Sequence, residues 1–341
     1  MDLAQAQALW DPHPGWLNTA SYGLPPRPAF EDLQRVLTDW RTGRTDWKPW
    51  DTATDRARTA FATLTGVAAT DVAVGATVSQ MLSPLAACLP PGARVVAATE
   101  EFTSNLFPWA ASADLHTAPL DHLAEAIDSR TRVVAFSLVQ SADGRQAPLQ
   151  DILTAARDHD TLVVADATQA CGWLPVQAAH FDILVCAAYK WLMAPRGATY
   201  GYLSARARRH MRPIAANWYA GADPGGSFYG PPLRLAEGAR AFDLSPAWFS
   251  QIGAAGSIDL LNRIGVTTVH AHNTALAARF LTALDQPPTG SAIVTVEAPD
   301  ARRRLEAAGI RTAVRAGKIR ASFHLYTTVD DVDRAVEALT R

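Results

Sequence analysis

The chain has 341 residues, 48% of them hydrophobic and 19% charged, enough for one large domain and a smaller one, each with its own core. A formal net charge of −2 without any long basic run gives no electrostatic basis for binding nucleic acid, and no window approaches the ~18 consecutive apolar residues of a membrane span. The opening Met1-Asp2-Leu3-Ala4-Gln5 lacks a basic segment followed by an apolar one, so a cytoplasmic protein with a small-molecule partner is expected.

In chain order, residues 52–65 carry a helical pattern closed by Gly66. Asp71-Val72-Ala73-Val74 then reads as a strand, which leads through Gly75-Ala76-Thr77 into a helix reaching Leu89. Apolar, β-forming runs follow at 94–98, 132–136, 162–165 and 183–188, separated by helical patterns near 105–112, 121–127 and 149–158. This alternation predicts right-handed crossovers and an α/β fold, a mostly parallel sheet with helices on both faces. Thr199-Tyr200-Gly201-Tyr202-Leu203 comes too soon after Lys190 for a crossover helix, so it is expected to return antiparallel.

Residues 212–246, rich in Gly, Pro and aromatic side chains, read as ordered loop. Long helical patterns over 247–264 and 268–284, short strands near 292–297, 310–315 and 318–323, and a last helix over 328–340 point to a small α+β domain. The expected division is a large domain over 16–241 and a small one made from 1–15 and 242–341. Cys88, Cys171 and Cys186 are scattered through apolar stretches, as reduced packing thiols are, and match neither a disulfide framework nor a zinc site. Trp40, Trp47, Trp50, Trp218 and Trp248 lie in polar or Gly/Pro-rich contexts, where tryptophan often lines a pocket or an interface.

Two of the apolar runs end in chemistry. Leu162-Val163-Val164-Ala165 is followed by Asp166, and Ile183 to Ala188 by Tyr189-Lys190. In a parallel sheet the carboxyl ends of the strands form the ligand crevice, so a carboxylate and an amine meet at one pocket. Pyridoxal phosphate chemistry needs that pair: a lysine to hold the aldehyde as an imine, and an acid to keep the pyridine nitrogen protonated. On these two residues alone, a helix-capping or magnesium-binding aspartate and a solvated rim lysine stay open as readings.

With Leu17-Asn18-Thr19-Ala20-Ser21-Tyr22-Gly23 at one end, Asp166 and Gln169 in an Asp-x-x-Gln pattern, Lys190, and then Pro195 and Gly197, the chain resembles the class V branch of fold-type I pyridoxal phosphate enzymes. That family includes cysteine desulfurases, kynureninase, isopenicillin N epimerase-like proteins and aminotransferases. The resemblance implies that Lys190 forms the imine and moves the α-proton, that Asp166 pairs with the ring nitrogen, and that Gln169 bonds the cofactor's phenolic oxygen or the adjacent imine. It gives the phosphate to the turn Gly75-Ala76-Thr77, where helix N–H groups meet an anion, with Tyr189 and Trp218 donating to it. Phe102 would lie over the cofactor ring, and Ser141 stands where asparagine is usual near the cofactor's oxygen. Ser245 matches the segment that brings a hydroxyl from a neighbouring subunit, which implies a homodimer with shared active sites.

On the substrate side the resemblance makes Arg320 the clamp for an α-carboxylate, with Asn18 and Tyr22 nearby; a guanidinium fork meets two carboxylate oxygens with parallel N–H donors. Desulfurases of the family attack sulfur with a cysteine shortly before that arginine, and no cysteine follows Cys186 here. An aminotransferase-type enzyme acting on an α-amino acid is the first expectation, because Lys190 alone can perform the proton shift it needs. A β-eliminating C–S lyase, an epimerase and a catalytically idle interaction module are the alternatives. A nicotinamide dehydrogenase lacks its Gly-x-Gly-x-x-Gly turn.

Overall fold

Apolar runs this short are buried on both faces only when helices cover the sheet they form. The computed structural model, which describes residues 1–340, contains that sheet: β1 (Val72–Gly75), β2 (Arg94–Ala98), β3 (Asp114–Ala118), β4 (Thr131–Ser137), β5 (Leu162–Asp166), β6 (Ile183–Ala187) and β7 (Thr199–Leu203). Their order is β1-β7-β6-β5-β4-β2-β3, and β7 alone runs against its neighbours, as its closeness to Lys190 requires. Every residue of β5 and β6 is buried.

The covering helices are α1 (Leu3–Gln7), α2 (Arg27–Thr42), α3 (Lys48–Thr65), α4 (Val78–Ala86), α5 (Thr103–Ala110), α6 (Leu149–Asp158) and α7 (Ala205–Arg208). Helix α3 starts earlier than its apolar pattern because Pro49 fits the first turn of a helix, where no N–H is needed. The segment 121–127, expected to be helical, forms only a single turn over Leu120–His122 followed by further turns. Pro119 before it and the Asp128 turn after it leave too little chain for α-helical pairing.

Beyond the loop region come α8 (Trp248–Ile264) and α9 (Val266–Thr282), then β8 (Ile293–Val296), α10 (Ala301–Ala307), β9 (Ala313–Arg315), β10 (Lys318–Ser322) and α11 (Val329–Thr340). The three strands form an antiparallel sheet in the order β8-β10-β9, roofed by α9, α10 and α11 around Phe280, Phe323, Leu305 and Leu276. Helix α8 instead lies on α2 and α3, and its Ile258 and Leu261 sit in the core of the large sheet. The N-terminal segment ties the two units together: Leu17 packs in the small core, Ala20 in the large one, and Leu17 N–H donates to Arg311 O at 2.9 Å. No helix among the described residues is long and apolar enough to cross a membrane.

Candidate active site

Parallel pairing of β4, β5 and β6 brings Ser137, Asp166 and the turn carrying Lys190 to one edge, with Ser137 directly opposite Asp166. There they line a cavity of about 260 Å³ together with Ala76, Thr77, Ser79, Phe102, Ser141, Gln169 and Tyr189. The segment before α2 closes against the lysine: Gly23 N–H donates to Tyr189 O at 3.0 Å, and a Cβ on Gly23 would fall 1.8 Å from the Lys190 carbonyl oxygen. Only glycine fits so close a backbone approach.

Asp166 and Lys190 are both buried, yet no ion pair joins them. The Asp166 carboxylate accepts from Thr168 N–H at 2.8 Å and is also hydrogen-bonded by the Thr168 side chain. Burial pushes the Asp166 carboxyl above the ordinary carboxylate range, opposed by the Thr168 side chain, the Thr168 N–H and the Lys190 charge. Burial likewise pushes the Lys190 amine down to about 8, against the pull of Asp166. Its ammonium lies 5.5 Å from the Phe102 ring centre and 5.6 Å from that of Tyr189.

Gln169 is held on three sides. Its Nε2 donates to Ala20 O and to Ser141 Oγ, each at 3.1 Å, and its Oε1 accepts from Trp191 Nε1 at 2.8 Å. Ser141 also accepts from Arg320, whose Nη1 donates to its carbonyl and, at 3.3 Å, to its hydroxyl. Arg320 Nη2 donates to Ser21 Oγ at 2.9 Å, while its buried Nε has no partner. The guanidinium is 1% exposed, faces only neutral oxygens, and is pushed down to about 10 by burial and by Arg315. Asn18 places an unpartnered buried Oδ1 in the neighbouring segment, and the Tyr22 ring sits 5.6 Å from that of Tyr189.

The phosphate turn is present with one change of emphasis. Thr77 caps α4, accepting from Gln80 N–H at 3.3 Å, and lines the cavity with Ala76 and Ser79. Gly75 lies behind them, its open side turned to Met81 and Leu244. Trp218 and Ser245 do not line the cavity of their own chain. Trp218 packs edge-on against Trp47 and Trp248 and tilted against Phe228, and Ser245 is exposed just after Leu244, whose N–H donates to Val74 O at 3.0 Å.

Sequence reasoning passed over Glu101. It is buried behind Phe102, accepts from Phe102 N–H at 2.9 Å, from Ser137 N–H at 2.6 Å and from the Ser137 hydroxyl, and has no cationic partner. Burial, aided by the Asp166 charge, raises its carboxyl to about 7.

These donors fit pyridoxal phosphate. A buried acid without an ion-pair partner and a buried amine lowered toward neutrality share a cavity, and a helix N-terminus with two hydroxyls stands at its rim. Fold and site together define a fold-type I pyridoxal phosphate enzyme. The profile described as Aminotransferase class-V matches residues 48–305, and the chain belongs to that family.

Among curated proteins it is similar to an uncharacterized aminotransferase, YcbU, of Bacillus subtilis (25% identity; 91% of this chain, 90% of that protein). It is also similar to isopenicillin N epimerase of Streptomyces clavuligerus (26% identity; 98% and 96%). Similar solved structures include the cysteine desulfurase CsdA of Escherichia coli, with a TM-score of 0.84 at 18% identity over 99% of this chain and 97% of that one. A C-DES variant with glycine covalently linked to its PLP cofactor superposes with a TM-score of 0.87 at 18% identity, over 99% of both chains.

Proposed function

We propose that this enzyme acts on an α-amino acid by aminotransferase-type chemistry, with Lys190 as both the covalent anchor of the cofactor and the group that moves the α-proton. The observation that carries the reading is the separation of Lys190 from Asp166: each is buried on one cavity, and neither neutralises the other. The chain has three lysines, of which Lys48 and Lys318 are exposed. Bound pyridoxal phosphate supplies an electron sink for bonds broken at the substrate's α-carbon.

The remaining assignments are those that the family resemblance implies for each group. Asp166 holds the proton on the ring nitrogen, Gln169 bonds the phenolic oxygen, Phe102 covers the ring and Ser141 supports Gln169. Ala76, Thr77 and Tyr189, backed by Gly75, bind the phosphate. Arg320 takes the substrate carboxylate with Asn18 and Tyr22 beside it. Trp218 and Ser245 complete the site of a second copy in a homodimer, and the chain works in the cytoplasm as a large domain over 16–241, onto which α1 and α8 also pack, with a small one built on β8, β9 and β10 from the rest of 242–341.

Incubating the enzyme with single amino acids and a 2-keto acid acceptor tests the reading; a new keto acid formed in step with a new amino acid is expected. Pyruvate or sulfide released without an acceptor would instead assign a β-eliminating lyase, and inversion of the α-carbon an epimerase. The likeness to isopenicillin N epimerase along nearly the whole chain favours the latter as the second reading. A persulfide route is disfavoured, since Cys88, Cys171 and Cys186 all lie off the cavity. An idle module would show no cofactor absorption band.

A further inference from the structure

Arg196 has no role in the reading above, yet it lines the same cavity as Ala76, Thr77 and Ser79. Its guanidinium carbon lies 5.1 Å from the centre of the Tyr189 ring. The side chain is exposed, and among the described residues it has neither an ion pair nor a hydrogen bond.

The turn that carries it is fixed. Gly197 adopts φ +113°, a conformation that L side chains rarely reach, and Ser250 Oγ of α8 donates to Arg196 O at 2.8 Å. Ala188 N–H donates to Ala198 O at 2.9 Å and Ala194 N–H to Ala188 O at 3.0 Å, so Arg196 and Lys190 sit on one closed loop. Arginine on a tyrosine face keeps its N–H edge free for a second partner.

A phosphate group carries about two negative charges near neutral pH. Thr77, Ser79 and the first N–H groups of α4 offer dipoles, and only two residues lining the cavity are cations, Lys190 and Arg196. Lys190 is engaged at the aldehyde end of the cofactor. We infer that Arg196 is a cofactor-binding residue whose guanidinium supplies the positive charge that the phosphate of pyridoxal phosphate meets. This rests on the cavity being the cofactor site.

The test is titration of the apoenzyme with pyridoxal phosphate and, separately, with pyridoxal, which lacks the phosphate, followed by absorbance. Arg196→Gln is expected to weaken pyridoxal phosphate binding about 10- to 100-fold while leaving pyridoxal within about two-fold, as loss of one charge-assisted contact requires. Arg196→Lys is expected to fall between, and added salt to narrow the gap between the two ligands for the wild type only. Equal losses for both ligands, or none, overturn the inference. So does unchanged cofactor affinity with a KM raised only for acidic amino acids, which would give Arg196 to the substrate. A wild-type protein that binds neither compound at Lys190 defeats the cofactor reading itself, an outcome distinct from these.

Discussion

The Nη1 of Arg320 lies 3.3 Å from Ser141 Oγ, joining β10 of the small sheet to the loop after β4 in the large one. The arginine is buried among neutral oxygens with Nε unpartnered, so its positive charge is uncompensated inside the chain. A substrate carboxylate would remove that deficit. Arg320→Ala is expected to cost about 2–5 kcal/mol in substrate binding or transition-state stabilisation while cofactor loading survives. Arg320→Lys should recover little, because a point charge cannot make two parallel contacts. Steady-state kinetics on an amino acid and on the matching amine without a carboxylate decide it; equal losses for the two would make Arg320 structural.

Lys190 gives a pH signature before any turnover. The neutral amine is the form that reacts with an aldehyde, and burial lowers this one to about 8. The rate of cofactor association with apoenzyme should therefore rise with pH through a midpoint at about 8 and level only above it. Asp166 raises the lysine's affinity for its proton, so Asp166→Asn should move the midpoint down. Stopped-flow absorbance measures both, and borohydride fixation followed by peptide mapping must label Lys190 rather than Lys48 or Lys318.

Asp166 and Lys190 were legible because buried parallel strands read as unbroken apolar runs, and a polar residue at the end of such a run has only the crevice to face. Glu101 was not legible: Glu100 and Glu101 are adjacent and alike, yet the first pairs with Arg145 at 2.7 Å near solvent and the second is buried. Only the approach of Ser137 from β4 separates them. Ser21 and Thr168 escaped notice because a hydroxyl in a loop has no pattern of its own. Strand β3 was missed because it is a partly exposed edge without an apolar run, and α2 was left unread as well, although Pro28 in its first turn and Ala29, Leu33, Val36 and Trp40 at helical spacing carry its signal.

Glu101 should show in stability. Its carboxyl rises from the ordinary 4.5 to about 7 on folding, chiefly through burial. Between those values the unfolded chain releases the proton and the folded chain keeps it, so stability falls as pH rises, by on the order of 3 kcal/mol, and the loss is complete above about 7. Glu101→Gln cannot ionise and should flatten this slope, although it forfeits one of the acceptor bonds to Phe102 or Ser137, about 1 kcal/mol, at every pH. Urea unfolding at pH 5 and pH 8 compares the two proteins; an unchanged slope in the variant would remove Glu101 as its source.

Assembly is the last expected outcome. Phe107, Tyr229 and Leu233 are 62%, 90% and 74% exposed, and Trp218 and Ser245 lie off their own cavity on anchored segments. Tyr229 and Leu233 share one loop with the half-exposed Phe228, and a cluster of apolar side chains on the surface, unlike a single one, is what another chain can cover. The protein is therefore expected to sediment as a dimer, with each cavity completed by Trp218 and Ser245 of the second copy. Mixing Lys190→Ala with Trp218→Ala supplies the sharper measurement. Each variant alone lacks a needed group in both sites, but a mixed dimer pairs the intact Lys190 of one chain with the intact Trp218 of the other, and activity should return on mixing. If verified mixed dimers stay inactive, or a monomer retains full cofactor occupancy, each chain carries its whole site and the exposed rings serve some other contact.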